Sequence, residues 1–324
     1  MEKSMRAVVF DRYGGPEVLH ERHVAMPVAR AGDVVVRVDA TSVNGADLML
    51  RSGKLALATG RRFPKQLGID FVGTLVEADA AADLDGLSIG DRVWGAVDPR
   101  RGPRSLAEWV STPATQIARA PSNLTAEEAV TLIAGGTTAH TALVHHAKVQ
   151  PGERVLVRGA AGGVGSVAVQ LAKSLGATVT ALASASSSEF VRNLGADAVI
   201  DYRATSPAQL GAFDIVFDAH GSSLFSFRRL LAPGGRMVSI AVDADAPMRG
   251  LLAIAASGVF GSRRIRFFRG NPGRLDLELL TTRVEQGELR PVLDRTFSLS
   301  RAAEAHTALE ARGVQGKLVI TTSA

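Results

Sequence analysis

Residues 154–165 read Arg-Val-Leu-Val-Arg-Gly-Ala-Ala-Gly-Gly-Val-Gly, and an amphipathic run from Ser166 to Leu175 follows directly. This order predicts a buried strand, a tight turn at Gly159, Gly162 and Gly165, and a helix. Such a turn leaves open space above the helix N-terminus, where unsatisfied N–H groups and the helix dipole can hold a pyrophosphate. A dinucleotide is therefore the expected ligand. Sites built for NAD place Asp or Glu at the end of the second strand. Here Leu182-Ala183-Ser184-Ala185-Ser186-Ser187-Ser188 occupies that place, and the first carboxylate is Glu189. With no acid to repel a 2′-phosphate and several hydroxyls to bond it, NADPH is the expected nucleotide. The loop carries no Arg or Lys. Arg203, beside Tyr202 at the end of the next expected strand, is the candidate cation.

Other reactive residue types are sparse. There is no cysteine, which excludes a disulfide scaffold, a catalytic thiol and any zinc site held by thiolate. His145 and His146 are consecutive, so on a helix their side chains diverge by about 100°. With His140 they read as ordinary surface or core histidines, and no metal site is expected. His220 reads as solvent-exposed, with a contact to the cleft as the alternative.

The elements that position these residues change character along the chain. Ala7–Phe10, Asp33–Ala40, Gly73–Glu77 and Arg92–Ala96 are short strand candidates of a mixed, partly closed sheet. Thr125 caps a helix at Ala126–Ala129, with Glu128 completing a capping box, and a second helix is expected over Leu132–His146. From Gly152 strands and helices alternate: strands at Val155–Arg158, Thr178–Ala183, Ala198–Ile200, Phe213–Phe217 and Met237–Ile240, with helices at Ser187–Leu194 and near Leu224–Leu231. Repeated βα units specify a parallel sheet covered on both faces, an α/β fold. Beyond it come a strand at Arg264–Phe268, helices at Leu275–Gln286 and Leu299–Ala311, and a last strand at Gly316–Ile320.

Composition narrows the class. The chain has 324 residues, 46% of them hydrophobic, 33 glycines and a formal charge of +5. Two domains are expected from that length. The positive charge is dispersed, and the run Arg100, Arg101, Arg104 is broken by Gly102 and Pro103, so nucleic-acid binding is not the expected role. No apolar signal segment opens the sequence and no window approaches a membrane span. A cytoplasmic protein is expected.

The ordered set of motifs resembles the medium-chain dehydrogenase/reductase superfamily, in particular its zinc-free quinone oxidoreductase (zeta-crystallin-like) group. Ser42-Val43-Asn44-Gly45-Ala46-Asp47 with Arg51-Ser52-Gly53, Gly68-Ile69-Asp70-Phe71-Val72-Gly73, Gly90-Asp91-Arg92-Val93 and Gly135-Gly136-Thr137-Thr138-Ala139 carry the resemblance. The glycine turn, Leu194-Gly195-Ala196-Asp197, Gly234-Gly235-Arg236 and Gly316-Lys317 continue it across nearly the whole length. The resemblance implies a GroES-like, partly closed β-barrel catalytic domain over residues 1–125 and 266–324, and a Rossmann domain over 126–265, with the active site in the cleft between them. It implies Gly162, Gly163 and Val164 on the pyrophosphate. Ser184, Ser186, Ser187, Ser188, Tyr202 and Arg203 would surround the adenosine phosphate, and Lys317 would lie near the cofactor. A homodimer joined through the cofactor sheets is implied as well.

The chemistry expected of this set is hydride transfer from NADPH to a quinone or α,β-unsaturated carbonyl, acceptors that need little electrophilic help. Asn44, through its amide N–H, and Thr138, through its hydroxyl, are the expected helpers for a developing enolate or quinol oxygen. Asp47 is assigned to the same catalytic set, chiefly to orient Asn44 or the Arg51 loop. Only Tyr13 and Tyr202 are present, so the tyrosine acid of some relatives is missing and the proton is expected from water. Leu48, Leu50, Leu55 and Leu57 are expected to line an apolar substrate pocket. The alternatives are a metal-independent alcohol dehydrogenase or ketone reductase, and an NADPH-binding protein with a structural or RNA-binding role.

Overall fold

Val34, Val35, Val36 and Val38 are all buried, so the strand that carries them must be covered on both faces. The computed structural model describes residues 4–98, 100–241, 250, 252, 254–257, 264–268, 270 and 272–322. The chain forms two units, Met1–Ala134 with Asn271–Gly287 and Pro291–Ala324, and Gly135–Gly270 with Glu288–Arg290. The boundaries fall at 134/135 and 270/271, where the sequence reading places 125/126 and 265/266.

The first unit holds β1 (Ser4–Phe10), β2 (His20–Ala25), β3 (Asp33–Ser42), β4 (Lys65–Gln66), β5 (Asp70–Ala78), β6 (Arg92–Ala96), β7 (Trp109–Pro113) and β8 (Ile117–Arg119). Helices α1 (Gly45–Arg51) and α2 (Ala56–Thr59) fill the connection before β4. Strands β2, β1 and β4 make a small antiparallel sheet. Around β3 a seven-stranded sheet pairs β5 on one side, and β7 and the C-terminal strand of the chain on the other. Val34, Val36, Phe71, Leu75, Val93 and Ile117 form its core.

The second unit begins within α3 (Ala126–His140), whose N-terminus has the expected capping box. Thr125 N donates to Glu128 Oε2 at 2.9 Å and Glu128 N donates to Thr125 Oγ1 at 3.2 Å. One expectation is corrected here. The run to His146 is no separate helix opened at Gly135, because α3 continues unbroken through Gly135 and Gly136 and then widens into a π-helical turn, Thr141–His146. Buried Ala129, Val130, Leu132, Ile133 and Ala139 hold these glycines helical by tertiary packing. The wider turn brings residues five apart onto one side, so the rings of His140 and His145 meet edge to face with centroids 5.1 Å apart.

Beyond this turn β9 (Arg154–Arg158), β10 (Thr178–Ala183), β11 (Ala198–Asp201), β12 (Phe213–Asp218), β13 (Leu231–Ser239) and β14 (Ile265–Phe267) pair in parallel in the order β11-β10-β9-β12-β13-β14. Helices α4 (Gly165–Ser174), α5 (Ser188–Asn193) and α6 (Leu224–Arg228) lie in the crossovers. Strand order reverses between β9 and β12, and the crevice at the carboxyl ends of such strands is where open α/β sheets bind ligands. The chain then returns to the first unit with α7 (Arg274–Glu285), β15 (Leu293–Ser298), α8 (Ala302–Glu310) and β16 (Lys317–Thr321), the last pairing with β3.

Candidate functional site

Buried Val155, Leu156 and Val157 carry β9 to the middle of the parallel sheet. The chain then turns at Gly159, with φ 74°, and enters α4 at Gly165. A Cβ on Gly165 would overlap the carbonyl oxygen of Gly159, and one on Gly135 of α3 would overlap that of Gly163. Backbone therefore packs directly on backbone from both sides of Gly162, Gly163 and Val164. Gly165 opens α4 at the end where N–H groups lack helical acceptors, although Ser166 N donates to Gly162 O at 2.8 Å. A side-chain-free cradle over a helix N-terminus suits the pyrophosphate of a dinucleotide.

At the end of β10, Ser184 Oγ lies 3.0 Å from Ser186 Oγ and 3.2 Å from Ser187 Oγ. Ser187 is buried, and Ser188 opens α5. Tyr202 N donates to Ala183 O at 3.2 Å, which seats the start of the Tyr202–Arg203 segment beside the serine loop. Tyr202 and Arg203 are exposed, and the guanidinium lies 5.6 Å from the tyrosine ring centre. The fold also brings up a residue that the sequence reading did not weigh. Asp201 is in register with Ala183 across β10 and β11, and it accepts the Arg203 N–H at 2.9 Å. An acid thus reaches the end of the second strand from its neighbour, where no scan along β10 could find it.

A second overlooked feature lies at the reversal of strand order. Arg158, last in β9, donates to Asp218, last in β12, at 2.7 Å, and both are buried. Asp218 also accepts N–H bonds from His220 and Gly221 and the Ser239 hydroxyl. The Arg158 guanidinium lies 3.5 Å from the Phe227 ring centre and donates to Ser222 O at 2.9 Å. The pair fixes the loop that follows β12. His220 is exposed, with Nδ1 2.9 Å from Ser222 Oγ.

In the first unit a buried polar cluster gathers Ser42, Asn44, Asp47, Asp70 and Lys317. Asn44 caps α1, and Asp47 accepts the N–H groups of Asn44 and Gly68 at 2.9 and 3.0 Å. Ser42 donates its hydroxyl to Asp70 at 2.6 Å. Lys317 Nζ donates to Ser42 Oγ at 3.0 Å and to Asn44 Oδ1. Burial pushes the Asp47 carboxyl up to about 6, with Asp70 adding to the rise and its two N–H bonds opposing it. Burial pulls the Lys317 ammonium down, against the pull of Asp70 and Asp47.

This geometry revises three expectations. The Asn44 amide N–H groups face Ser42 O at 3.1 Å, Ser42 Oγ and Asp70, so they are engaged within the cluster rather than free for an enolate. Lys317 Nζ is the side-chain donor next to it. Asp47 acts as the brace of Asn44, not of Arg51, whose guanidinium is bound to Gly14 O, His306 Nδ1 and Glu310. Thr138 belongs to the second unit and is half-buried inside α3. The four leucines do not share a pocket: Leu50 is core, Leu55 packs on that core and Leu57 is fully exposed.

A six-stranded parallel sheet with a glycine cradle at its centre, joined to a β-sheet unit, defines a dinucleotide-dependent dehydrogenase or reductase. Residues 30–154 match the family described as alcohol dehydrogenase GroES-like domain, and residues 194–320 that described as zinc-binding dehydrogenase. The human mitochondrial NAD(P)H oxidoreductase RTN4IP1 is 33% identical over 98% of this chain and 89% of its own length. The chloroplastic NADPH-dependent alkenal/one oxidoreductase of Arabidopsis thaliana is 32% identical over 98% and 80%. Among solved structures, the quinone oxidoreductase from Coxiella burnetii superposes with a TM-score of 0.90 at 31% identity, covering 99% of this chain and 100% of that one. The chain belongs to the medium-chain dehydrogenase/reductase superfamily, in its zinc-free quinone oxidoreductase group. It is an oxidoreductase of the nicotinamide-dependent kind.

Proposed function

We propose that this protein reduces quinones or α,β-unsaturated carbonyls with NADPH. The observation that carries the reading is the glycine cradle between β9 and α4, followed at the end of β10 by a loop of hydroxyls, with Asp201 reaching that end only from β11. When bound there, the reduced nicotinamide supplies the hydride. Gly163 and Val164 hold the pyrophosphate by backbone N–H groups, while Gly162, whose N–H donates to Gly159 O at 3.0 Å, leaves room for it. Ser184, Ser186, Ser187 and Ser188 donate to the 2′-phosphate, and Arg203, stacked by Tyr202, balances its charge and that of Asp201. The buried cluster fixes Asn44, and Lys317 keeps a proton at Nζ beside it.

With no thiolate in the sequence, the acceptor is one whose incoming charge spreads onto oxygen without a thiolate-held zinc. The names of the Arabidopsis and Coxiella relatives support that acceptor class. A homodimer joined along an edge of the parallel sheet goes with this reading. Anaerobic oxidation of NADPH and, in parallel, NADH is measured with 1,4-benzoquinone, an enone and a simple ketone. Turnover with quinone or enone and NADPH is expected. Turnover with the ketone alone, or a strong preference for NADH, would overturn the proposal.

A further inference from the structure

The first unit contains a cavity of about 710 Å³ between the small β2-β1-β4 sheet and the segment that connects β6 to β7. Arg100, Arg101, Arg104 and Lys65 line it, and no lining residue among those described is an acid. The cations differ in their partners. Arg101 is paired with buried Asp33 and approaches Asp98. Lys65 Nζ donates to Thr59 O at 2.8 Å. Among the described residues the half-buried Arg104 side chain donates to the carbonyl oxygens of Arg101 and Gly102, and the exposed Arg100 side chain has no carboxylate partner, although its backbone N–H donates to Asp98 at 2.9 Å. Burial, with Arg101 and Arg30 nearby, pulls the Arg104 guanidinium below its usual range, against the pull of Asp33 and Asp98. Like charges gathered in a partly desolvated recess repel one another unless an anion joins them.

The β1 and β2 side is mainly apolar, with Lys65 and Gln66 of β4 at its margin. Met5, Val9, Val24, Leu50 and half-buried Trp109 line it. The volume falls in the range of small-molecule sites and far exceeds one inorganic anion. A ligand that satisfies both walls must join a compact anion to an apolar body. We propose that this cavity binds an organic monocarboxylate with an alkyl or aromatic body, its carboxylate on the forked donors of Arg104 and Arg100 and its body against Met5, Val9, Val24 and Trp109. The site lies wholly in the first unit and does not depend on the cofactor reading.

Calorimetric titration of the full chain without dinucleotide tests it, using octanoate, 1-octanol and inorganic phosphate as probes. Saturable octanoate binding is expected, with octanol and phosphate each weaker by at least about tenfold. Arg104→Gln and Arg100→Gln should each weaken octanoate by about tenfold or more. Arg100 is on the surface, so its variant decides the matter if the Arg104 variant does not fold. Octanol or phosphate binding as tightly as octanoate would overturn the inference, as would Arg100→Gln binding octanoate like the parent protein. NADPH oxidation by the parent protein reports separately on the proposed function.

Discussion

Gly165 and Asp47 show how single residues decide the two candidate centres. Replacing Gly165 by Ala drives a methyl group into the Gly159 carbonyl oxygen, and because that atom is backbone the turn itself must move. Gly165→Ala is expected to weaken nicotinamide dinucleotide binding by about a hundredfold or more, roughly the loss of two good hydrogen bonds to a charged group. Fluorescence titration checks this, and undiminished binding would refute the cradle. At Asp47 the cost is electrostatic. Its carboxyl titrates at about 6 against 3.8 for the free side chain, so the native state holds more protons than the unfolded chain between those values. Stability from this group is complete below pH 3.8 and is lost as pH rises through about 6. A rise of that size is worth at most about 3 kcal/mol. A carboxyl ¹³C titration with a midpoint near 6 that disappears in Asp47→Asn is the expected result.

At the scale of elements, α8 is pinned to α1 by one buried base. Arg51 can only donate, so His306 Nδ1, 3.3 Å from its guanidinium, must accept and the ring proton must sit on Nε2. Burial, with the Arg51 charge beside it, lowers His306 to about 3 from 6.5. Here the unfolded chain takes up the proton first, so stability is present above pH 6.5 and is lost as pH falls toward 3. This slope runs opposite to that of Asp47 over the same acid range, and its wider span gives it the greater weight, at most about 5 kcal/mol. Urea unfolding between pH 4 and 7 should therefore separate them. His306→Gln is expected to flatten the loss of stability toward acid, and Asp47→Asn to steepen it. The capping box at Thr125 and Glu128 was legible in the sequence because its partners are three residues apart. The continuation of α3 through Gly135 was not, because the packing that overrides two glycines comes from residues distant along the chain.

For the whole molecule, the parallel sheet ends at β11 on one side and at β14 on the other. Strand β14 is three residues long, and Phe267 on it is 41% exposed. An edge with no further strand among the described residues and an aromatic beside it is a place for a second copy to pair. Light scattering at micromolar concentration is expected to give twice the chain mass, and Phe267→Asp to shift it toward the single chain. A parent protein that scatters as one chain would refute the edge pairing. Among the described residues no helix is long and apolar enough to cross a membrane.

The parallel sheet, the glycine turn, the serine loop and the superfamily were readable from residue order alone, because each depends on neighbours within about one βα unit. The partners that qualify those readings were not. Asp201 reaches the end of β10 across a strand pair, Arg158 meets Asp218 60 positions later, and Lys317 closes on Asn44 across 273. Burial then changes what these groups are, raising one carboxyl and lowering one ammonium within a single cluster. Local pattern determines which elements form and which ligand class they suit. Only tertiary packing sets which charges meet in the interior, since desolvation and pairing depend on distance in space, not on order along the chain.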